Sequence, residues 1–194
     1  MKKIFSLVTL TLILISCNSS VDTKVKMDVS STDDKAIFEN QIETFSAYRK
    51  AFKEENIEDL MATMADSLKW SPPAYNGNQI LGYDDAKSQF QLYFDQFDNI
   101  IFSEGEGLVN SNAPAFWAGS AFSSGDGDQG ASSSPYGMRV YGTWSGTHTE
   151  SGAKVYNKYY GVLNFNSDGK IAELSDWMDV NGMQVQIQKY LADK

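Results

Sequence analysis

The sequence predicts an α+β domain in which helices come first and a mixed or antiparallel β-sheet follows. Between residues 34 and 98, apolar residues recur every three or four positions, which is the period of a helix with one buried face. From residue 99 onward, segments of strand character alternate with short stretches that contain Gly and Ser, which is typical of strands joined by turns. The 194 residues are enough for one domain of ordinary size.

Three helices are predicted in the first half of the domain. The first begins at about Asp34 and carries one apolar stripe, made of Phe38, Ile42, Phe45, Tyr48 and Phe52. Asn56 can cap the second helix, and Asp84 is predicted to cap a third whose stripe runs from Ala86 to Phe97. Between these two helices, Leu68 to Ser71 is predicted as a short strand that Pro72 ends.

Five strands and a short final helix are predicted in the second half. The strands are 99–105, 113–122, 136–149, 154–166 and 170–179, and the helix starts at about Asn181. Residues 125–134 are rich in Gly, Ser and Asp. They are interpreted as a flexible connection rather than a calcium loop, because the glutamate that an EF-hand needs is missing at Gly137.

Two predicted hairpin turns define which side chains share a face of the sheet. Ser151-Gly152 pairs Glu150 with Ala153, and Asp168-Gly169 pairs Ser167 with Lys170. Since side chains alternate and cross-strand partners share a face, this pairing gives a core face whose one carboxylate is Asp176. It also places Gly161 opposite Asp176 and Gly142 beyond it on the next strand, which predicts an opening beside a buried acid. A slip of one residue would turn Asp176 outward.

The first residues indicate export and lipid attachment. Lys2 and Lys3 precede an uncharged apolar run, Ile4–Ile15, which is too short to span a bilayer and is typical of a signal peptide. The run ends in Leu14-Ile15-Ser16-Cys17, which resembles the bacterial lipobox. That resemblance implies a signal peptide over residues 1–16 and acylation of Cys17. The polar sequence that follows lacks aromatic residues and predicts a flexible tether over 17–33, before a domain over 34–194. The expected location is the cell envelope, anchored to a membrane and facing the periplasm or the exterior.

Composition excludes several classes of function. The formal net charge of -9 makes binding to nucleic acid improbable, because phosphate backbones would repel an acidic chain. One Cys and one His exclude a disulfide framework and a zinc cluster. We therefore expect no metal and no cofactor.

The domain resembles the SnoaL-like branch of the nuclear transport factor 2-like superfamily, most specifically in its C-terminal half. The resemblance covers about residues 34–189. It is carried by Gly142-Thr-Trp144-Ser-Gly146-Thr-His148, Val155–Phe165, Asp168-Gly169-Lys170-Ile171, Asp176-Trp-Met-Asp179 and Gln184. It implies a cone-shaped fold in which three helices close the concave face of a strongly curved sheet and leave a pocket. Members of the superfamily include enzymes, binding domains and dimerising modules.

Two functions fit such a pocket, and a third needs none. The first is binding of a small, largely apolar molecule, with Tyr48, Trp70, Trp144, Tyr159 and Asp176 as ligand-binding residues. The second is an enzyme of cyclase, isomerase or hydrolase type that uses Asp176, with His148 as a weaker candidate, as acid or base. Alignment with ketosteroid isomerase puts Tyr48 at its oxyanion-hole tyrosine but Pro72 at its general base, so the second catalytic group expected from enzyme relatives is missing.

The third function is a non-catalytic dimerisation or interaction module. Phe116 and Trp117 occupy adjacent positions of one predicted strand, so one of them points inward and the other outward. The outward residue can cover a homodimer surface on the outer face of the sheet.

Overall fold

The computed structural model describes residues 32–110, 112–119 and 137–194. The elements in these ranges are α1 (Thr32–Glu54), α2 (Ile57–Ala62), β1 (Met64–Ser71), α3 (Tyr83–Gln96), β2 (Phe97–Glu104), β3 (Phe116–Ala118), β4 (Gly137–His148), β5 (Lys154–Phe165), β6 (Ile171–Trp177) and α4 (Val180–Ala192). The predicted α+β class and the order of its elements are confirmed. The signal peptide, Cys17, nearly all of the tether and the 125–134 connection lie outside the described residues.

The strands form one mixed sheet in the order β1-β6-β5-β4-β2. Strand β3 pairs with residues 138–140 of β4, and β2 pairs with the later part of the same edge. All these pairs are antiparallel except β1 with β6, which run parallel. No helix in the described ranges is long and apolar enough to cross a membrane.

The predicted helix faces form the core against this sheet. Phe45, Tyr48 and Phe52 of α1 are buried, and so is Phe90 of α3. The carboxamide oxygen of Asn56 accepts hydrogen bonds from two backbone N–H groups of α2, each at 3.1 Å, so its predicted capping role is confirmed.

The boundaries of α3 differ from the prediction. Gly82, not Asp84, is the N-cap residue, and no side chain caps this end. Asp84 and Asp85 instead lie in the first turn, where the positive end of the helix dipole favours carboxylates. Phe97, predicted on the helix, is the first residue of β2, because the backbone becomes extended there.

The β4–β5 hairpin has a four-residue loop instead of the predicted two-residue turn. The backbone N–H of His148 donates to the carbonyl of Ala153, so the pairing of Glu150 with Ala153 is wrong. The register moves by two residues, an even number, and every side chain therefore stays on its predicted face.

The β5–β6 register is as predicted where the candidate site lies. Gly161 is opposite Asp176 on β6, but its partner on β4 is Val140 and not Gly142. Closer to the turn, an irregularity pairs Phe165 with Ile171. It puts Ile171 in the core at the place predicted for Ala172.

Candidate functional site

Asp176 is a buried carboxyl group near the end of β6. Its side chain lies on the helix-covered face of the sheet, and the residue is 6% exposed. The indole Nε1 of Trp70, on the parallel neighbour β1, donates a hydrogen bond to Oδ2 of Asp176 at 3.2 Å. Trp70 is itself fixed by two backbone hydrogen bonds with Leu81, both 2.8 Å long. The chain thus holds a rigid donor against one oxygen of this carboxylate.

The glycines near Asp176 do not leave the predicted opening. A Cβ atom on Gly161 would lie 2.4 Å from the hydroxyl oxygen of Tyr159, whose ring covers this position. A Cβ atom on Gly142 would lie 2.4 Å from the ring of Phe102. Both glycines therefore make room for aromatic rings that fill the interior.

A cavity nevertheless lies beside Asp176, between α1, α3 and the sheet. Its volume is about 70 Å³. All five predicted ligand-binding residues, Tyr48, Trp70, Trp144, Tyr159 and Asp176, are part of its lining. The structure therefore brings together, from five separate elements, the side chains that the sequence analysis predicted to bind a ligand.

Four further aromatic lining residues were not assigned to the site from sequence. They are Phe52, Phe90, Tyr93 and Phe97. Their apolar periodicity predicted only that they are buried. Periodicity does not distinguish a side chain that packs against its neighbours from one that borders a cavity.

Two oxygens at this cavity have no hydrogen-bond partner. They are Oδ1 of Asp176 and the hydroxyl of Tyr159, a residue that is 4% exposed. Tyr159 is close enough to Asp176 to affect its titration, but the two groups do not reach hydrogen-bond geometry. The other unpartnered buried side-chain atoms of the described residues belong to Gln41 and Arg139, which do not line the cavity.

Burial raises the pKa of Asp176 from its ordinary value of 3.8 to about 7. The cause is desolvation of the charged form, and the interactions with Trp70 and Tyr159 oppose it only in part. Near neutral pH the carboxyl is therefore close to equally divided between its acid and its carboxylate form. A group in this condition can donate or accept a proton at little cost.

Three tyrosines face Asp176 and remain protonated. Burial raises the pKa of Tyr48 and Tyr159 well above its usual value, and the negative charge of Asp176 raises it further. Burial and the same charge raise the pKa of Tyr93 to about 12. The site thus combines one titrating carboxyl with neutral phenols.

Two methionines line the cavity near the start of α4. Asn157 of β5 positions this region, since its carboxamide donates to the carbonyl of Asp179 at 3.0 Å and accepts from the Asp179 N–H at 2.9 Å. Asp179 caps α4, which carries Met183, and Met178 precedes the cap. Flexible, unbranched Met side chains can adapt to ligands of different shape.

His148 lies at the β4–β5 hairpin, outside the cavity lining. Its Nδ1 is 2.9 Å from the Ser151 hydroxyl oxygen and accepts a hydrogen bond from the Ser151 backbone N–H at 3.3 Å. Its ring packs edge-on against Phe97. The structure does not bring His148 to Asp176. Nor do the described ranges contain any group of three His, Cys, Asp or Glu side chains that could hold a metal ion.

Solved structures with the same fold come from several sources. BvnE pinacolase from Penicillium brevicompactum is 13% identical and has a TM-score of 0.57, over 81% of this chain and 94% of that chain. A protein from Shewanella denitrificans assigned as a SnoaL-like polyketide cyclase is 13% identical with a TM-score of 0.51, over 77% and 97%. A protein of ketosteroid isomerase-like fold from Catenulispora acidiphila, solved in complex with trimethylamine, is 11% identical with a TM-score of 0.53, over 75% and 92%.

The fold is therefore the SnoaL-like, nuclear transport factor 2-like fold that the sequence motifs predicted. At these identities the likeness concerns the fold alone. No family model matches the sequence, and neither does any curated protein.

Proposed function

We propose that this domain binds a small, largely apolar molecule in the cavity beside Asp176. The observation that carries this proposal is the pair of unpartnered oxygens, Oδ1 of Asp176 and the hydroxyl of Tyr159, at a cavity of which half the lining residues are aromatic. A buried polar group without a partner costs about 1–3 kcal/mol. A ligand with one polar group at this place would satisfy both oxygens and bury its apolar part against the rings.

The cavity volume limits the ligand. A cavity of about 150 Å³ accepts benzene. By proportion, the 70 Å³ found here accommodates about three non-hydrogen atoms. A longer ligand needs an outlet through the lining, and Met178 and Met183 are half-buried lining residues with flexible side chains.

The second candidate function is catalysis. The pKa of Asp176, raised to about 7 by burial, suits a general acid or base at neutral pH. Tyr159 supplies a neutral hydroxyl beside it, which can donate a hydrogen bond to a developing oxyanion. Solved proteins with this fold include a pinacolase and an epoxide hydrolase-like enzyme, which is consistent with such chemistry.

The binding proposal is tested with one neutral and one charged probe, acetone and trimethylammonium chloride. The full chain, kept in a non-ionic detergent, is titrated while the indole N–H resonance of Trp70 is followed by NMR. At least one probe should shift this resonance saturably. Val155→Leu adds a methylene group to a cavity-lining residue and should weaken the response, whereas Val109→Leu on the surface should not. No saturable shift with either probe would contradict the proposal.

We also propose that the domain is held at a membrane by lipid on Cys17. The support is the lipobox-like sequence Leu14-Ile15-Ser16-Cys17 after a short apolar run, with the chain's one Cys at the position that is acylated in lipoproteins. Such an anchor would place the cavity in the cell envelope, on the periplasmic or exterior side.

A homodimer through the outer sheet face is the third part of the proposal. Tyr141, Tyr160 and Trp177 form a row of rings on this face, with centroids 4.9 and 5.4 Å apart, and Trp177 is 55% exposed. Phe116 packs inward on Phe45, so on β3 it is Trp117 that faces outward. Exposed aromatic side chains of this kind are enriched at protein interfaces.

A further inference from the structure

We propose that the ligand presents a positively charged amine to this cavity: a small alkylammonium group held between the Asp176 carboxylate and the aromatic rings around it. This inference rests on the proposed binding function and narrows it to one class of ligand.

The lining has the composition of a cation site. Eight of its sixteen residues are aromatic, and Asp176 is the one residue among them with a formal charge. Aromatic ring faces attract cations, and cages of rings are a known means of holding alkylated ammonium groups. Among the described residues that line the cavity there is no Lys, Arg or His, so no cationic side chain of this set competes for the carboxylate.

The rings enclose the space from several sides. Trp144 stands at 71° to Tyr48 and at 85° to Tyr159, so these three rings form adjoining walls at steep angles. Phe90 packs against Trp70, whose indole N–H holds the carboxylate from the other side of the site. A methylated nitrogen in this space would contact ring carbons and face Oδ1 of Asp176.

Hydrogen bonding also favours an ammonium group. An N⁺–H donor satisfies the unpartnered Oδ1, and a second N–H, where the amine has one, can reach the Tyr159 oxygen. Oδ2 keeps its bond from Trp70. The bound pair is neutral overall, so the buried carboxylate gains the counter-charge that the described lining does not supply.

The size of the cavity agrees with such a head group. Trimethylammonium has four non-hydrogen atoms, which is close to the content of about three that the volume of 70 Å³ gives. In a larger amine, the alkyl chain would leave past Met178 and Met183, whose thioether side chains can move aside.

The pH dependence of binding has a definite sign. The titratable groups facing Asp176 are Tyr48 from α1, Tyr93 from α3 and Tyr159 from β5, and all stay neutral below pH 9 because their pKa values are raised. Only ionised Asp176 attracts an ammonium ion. Affinity should therefore rise with pH up to about 7 and then level off, being about tenfold lower at pH 6 than at pH 8. A carbonyl ligand that needs the acid form of Asp176 would show the opposite trend.

The test compares three probes of equal size on the full chain: trimethylammonium chloride, acetone and 2-propanol. Binding is measured by the Trp70 indole resonance between pH 5 and 8. Trimethylammonium should bind at least tenfold more tightly than either neutral probe at pH 8, with the pH dependence described above. Asp176→Asn should remove this preference, whereas Glu173→Gln, which neutralises a solvent-facing carboxylate of the same strand, should leave it unchanged.

The outcomes separate the two proposals. Equal or tighter binding of a neutral probe, or trimethylammonium binding that does not change between pH 5 and 8, would overturn the amine proposal and leave the binding function standing. Absence of binding by all three probes would overturn both. Should Asp176→Asn fail to fold, the pH dependence of the unaltered chain decides the question.

Discussion

Replacing Asp176 by Asn tests whether the fold contains a buried acid whose ionisation destabilises it. The amide has nearly the same shape as the carboxyl group, and its oxygen can still accept the hydrogen bond from Trp70 that now reaches Oδ2 at 3.2 Å. What the substitution removes is the ionisation. The effect on stability should therefore depend on pH, with a sign fixed by the raised pKa.

The size of this effect on the free energy of unfolding follows from the difference between the pKa of Asp176 in the folded and in the unfolded chain. Folding raises the pKa of Asp176 from 3.8 to about 7. Below about pH 3 the carboxyl is protonated in both states, and the stabilisation of the fold by its acid form is fully present. As the pH rises toward 7, the unfolded chain loses this proton while the folded chain retains it, so the contribution is lost progressively. The total loss is on the order of 4 kcal/mol, and it is nearly complete at about pH 8, where the folded carboxyl is also ionised.

The assay is urea unfolding of the full chain and of the Asp176→Asn variant at pH 4, 5, 6, 7 and 8. Other carboxylates change stability in both proteins alike, so the difference between the two isolates Asp176. Between pH 4 and pH 8, the free energy of unfolding of the Asn variant should rise by on the order of 4 kcal/mol relative to that of the unaltered chain. The matched control, Glu173→Gln on the same strand, should change by less than about 1 kcal/mol. A difference between the Asn variant and the unaltered chain that stays constant across this range would refute the reasoning.

Three further predictions concern the packing at two glycines, the lipid anchor and the outer face of the sheet. Gly142→Ala places a Cβ atom 2.4 Å from a phenylalanine ring and should cost about 1–3 kcal/mol of stability by urea unfolding. Gly146→Ala finds its nearest neighbour at 3.5 Å and should cost less than about 1 kcal/mol; equal costs would contradict the packing described. Cys17→Ser should abolish incorporation of radiolabelled palmitate, and label that persists would exclude the lipid anchor. Trp177→Glu should convert a dimer to a monomer in sedimentation experiments, and an unchanged mass would exclude the outer sheet face as the interface.

The sequence was most informative where a regular period determined the structure. The stripe from Phe38 to Phe52 gave the buried face of α1, and side-chain alternation placed Asp176 on the interior side of β6. These predictions tolerate a register error of two residues, because side chains alternate between the two faces of a strand. The hairpin at His148 shows this, because its shift by two residues left every face unchanged.

Prediction failed where three-dimensional packing decides the outcome. Two glycines next to an acid suggested an empty space, yet the rings of Tyr159 and Phe102 fill it. The actual cavity lies among side chains whose periodicity predicted only burial, such as Tyr93. The contact between Trp70 and Asp176, 106 positions apart, depends on a parallel pairing of β1 and β6 that no local pattern specifies.

The most direct test of the site is the titration of the Asp176 carboxyl, followed through its ¹³C resonance and assigned with the Asn variant. The free protein should show a midpoint at about pH 7, since burial in the cavity raises the pKa from 3.8. Saturating trimethylammonium chloride should lower that midpoint, because the bound cation favours the carboxylate form. A midpoint close to 3.8 in the free protein would show that this carboxyl is in contact with water, and would contradict both the buried site and the function proposed for it.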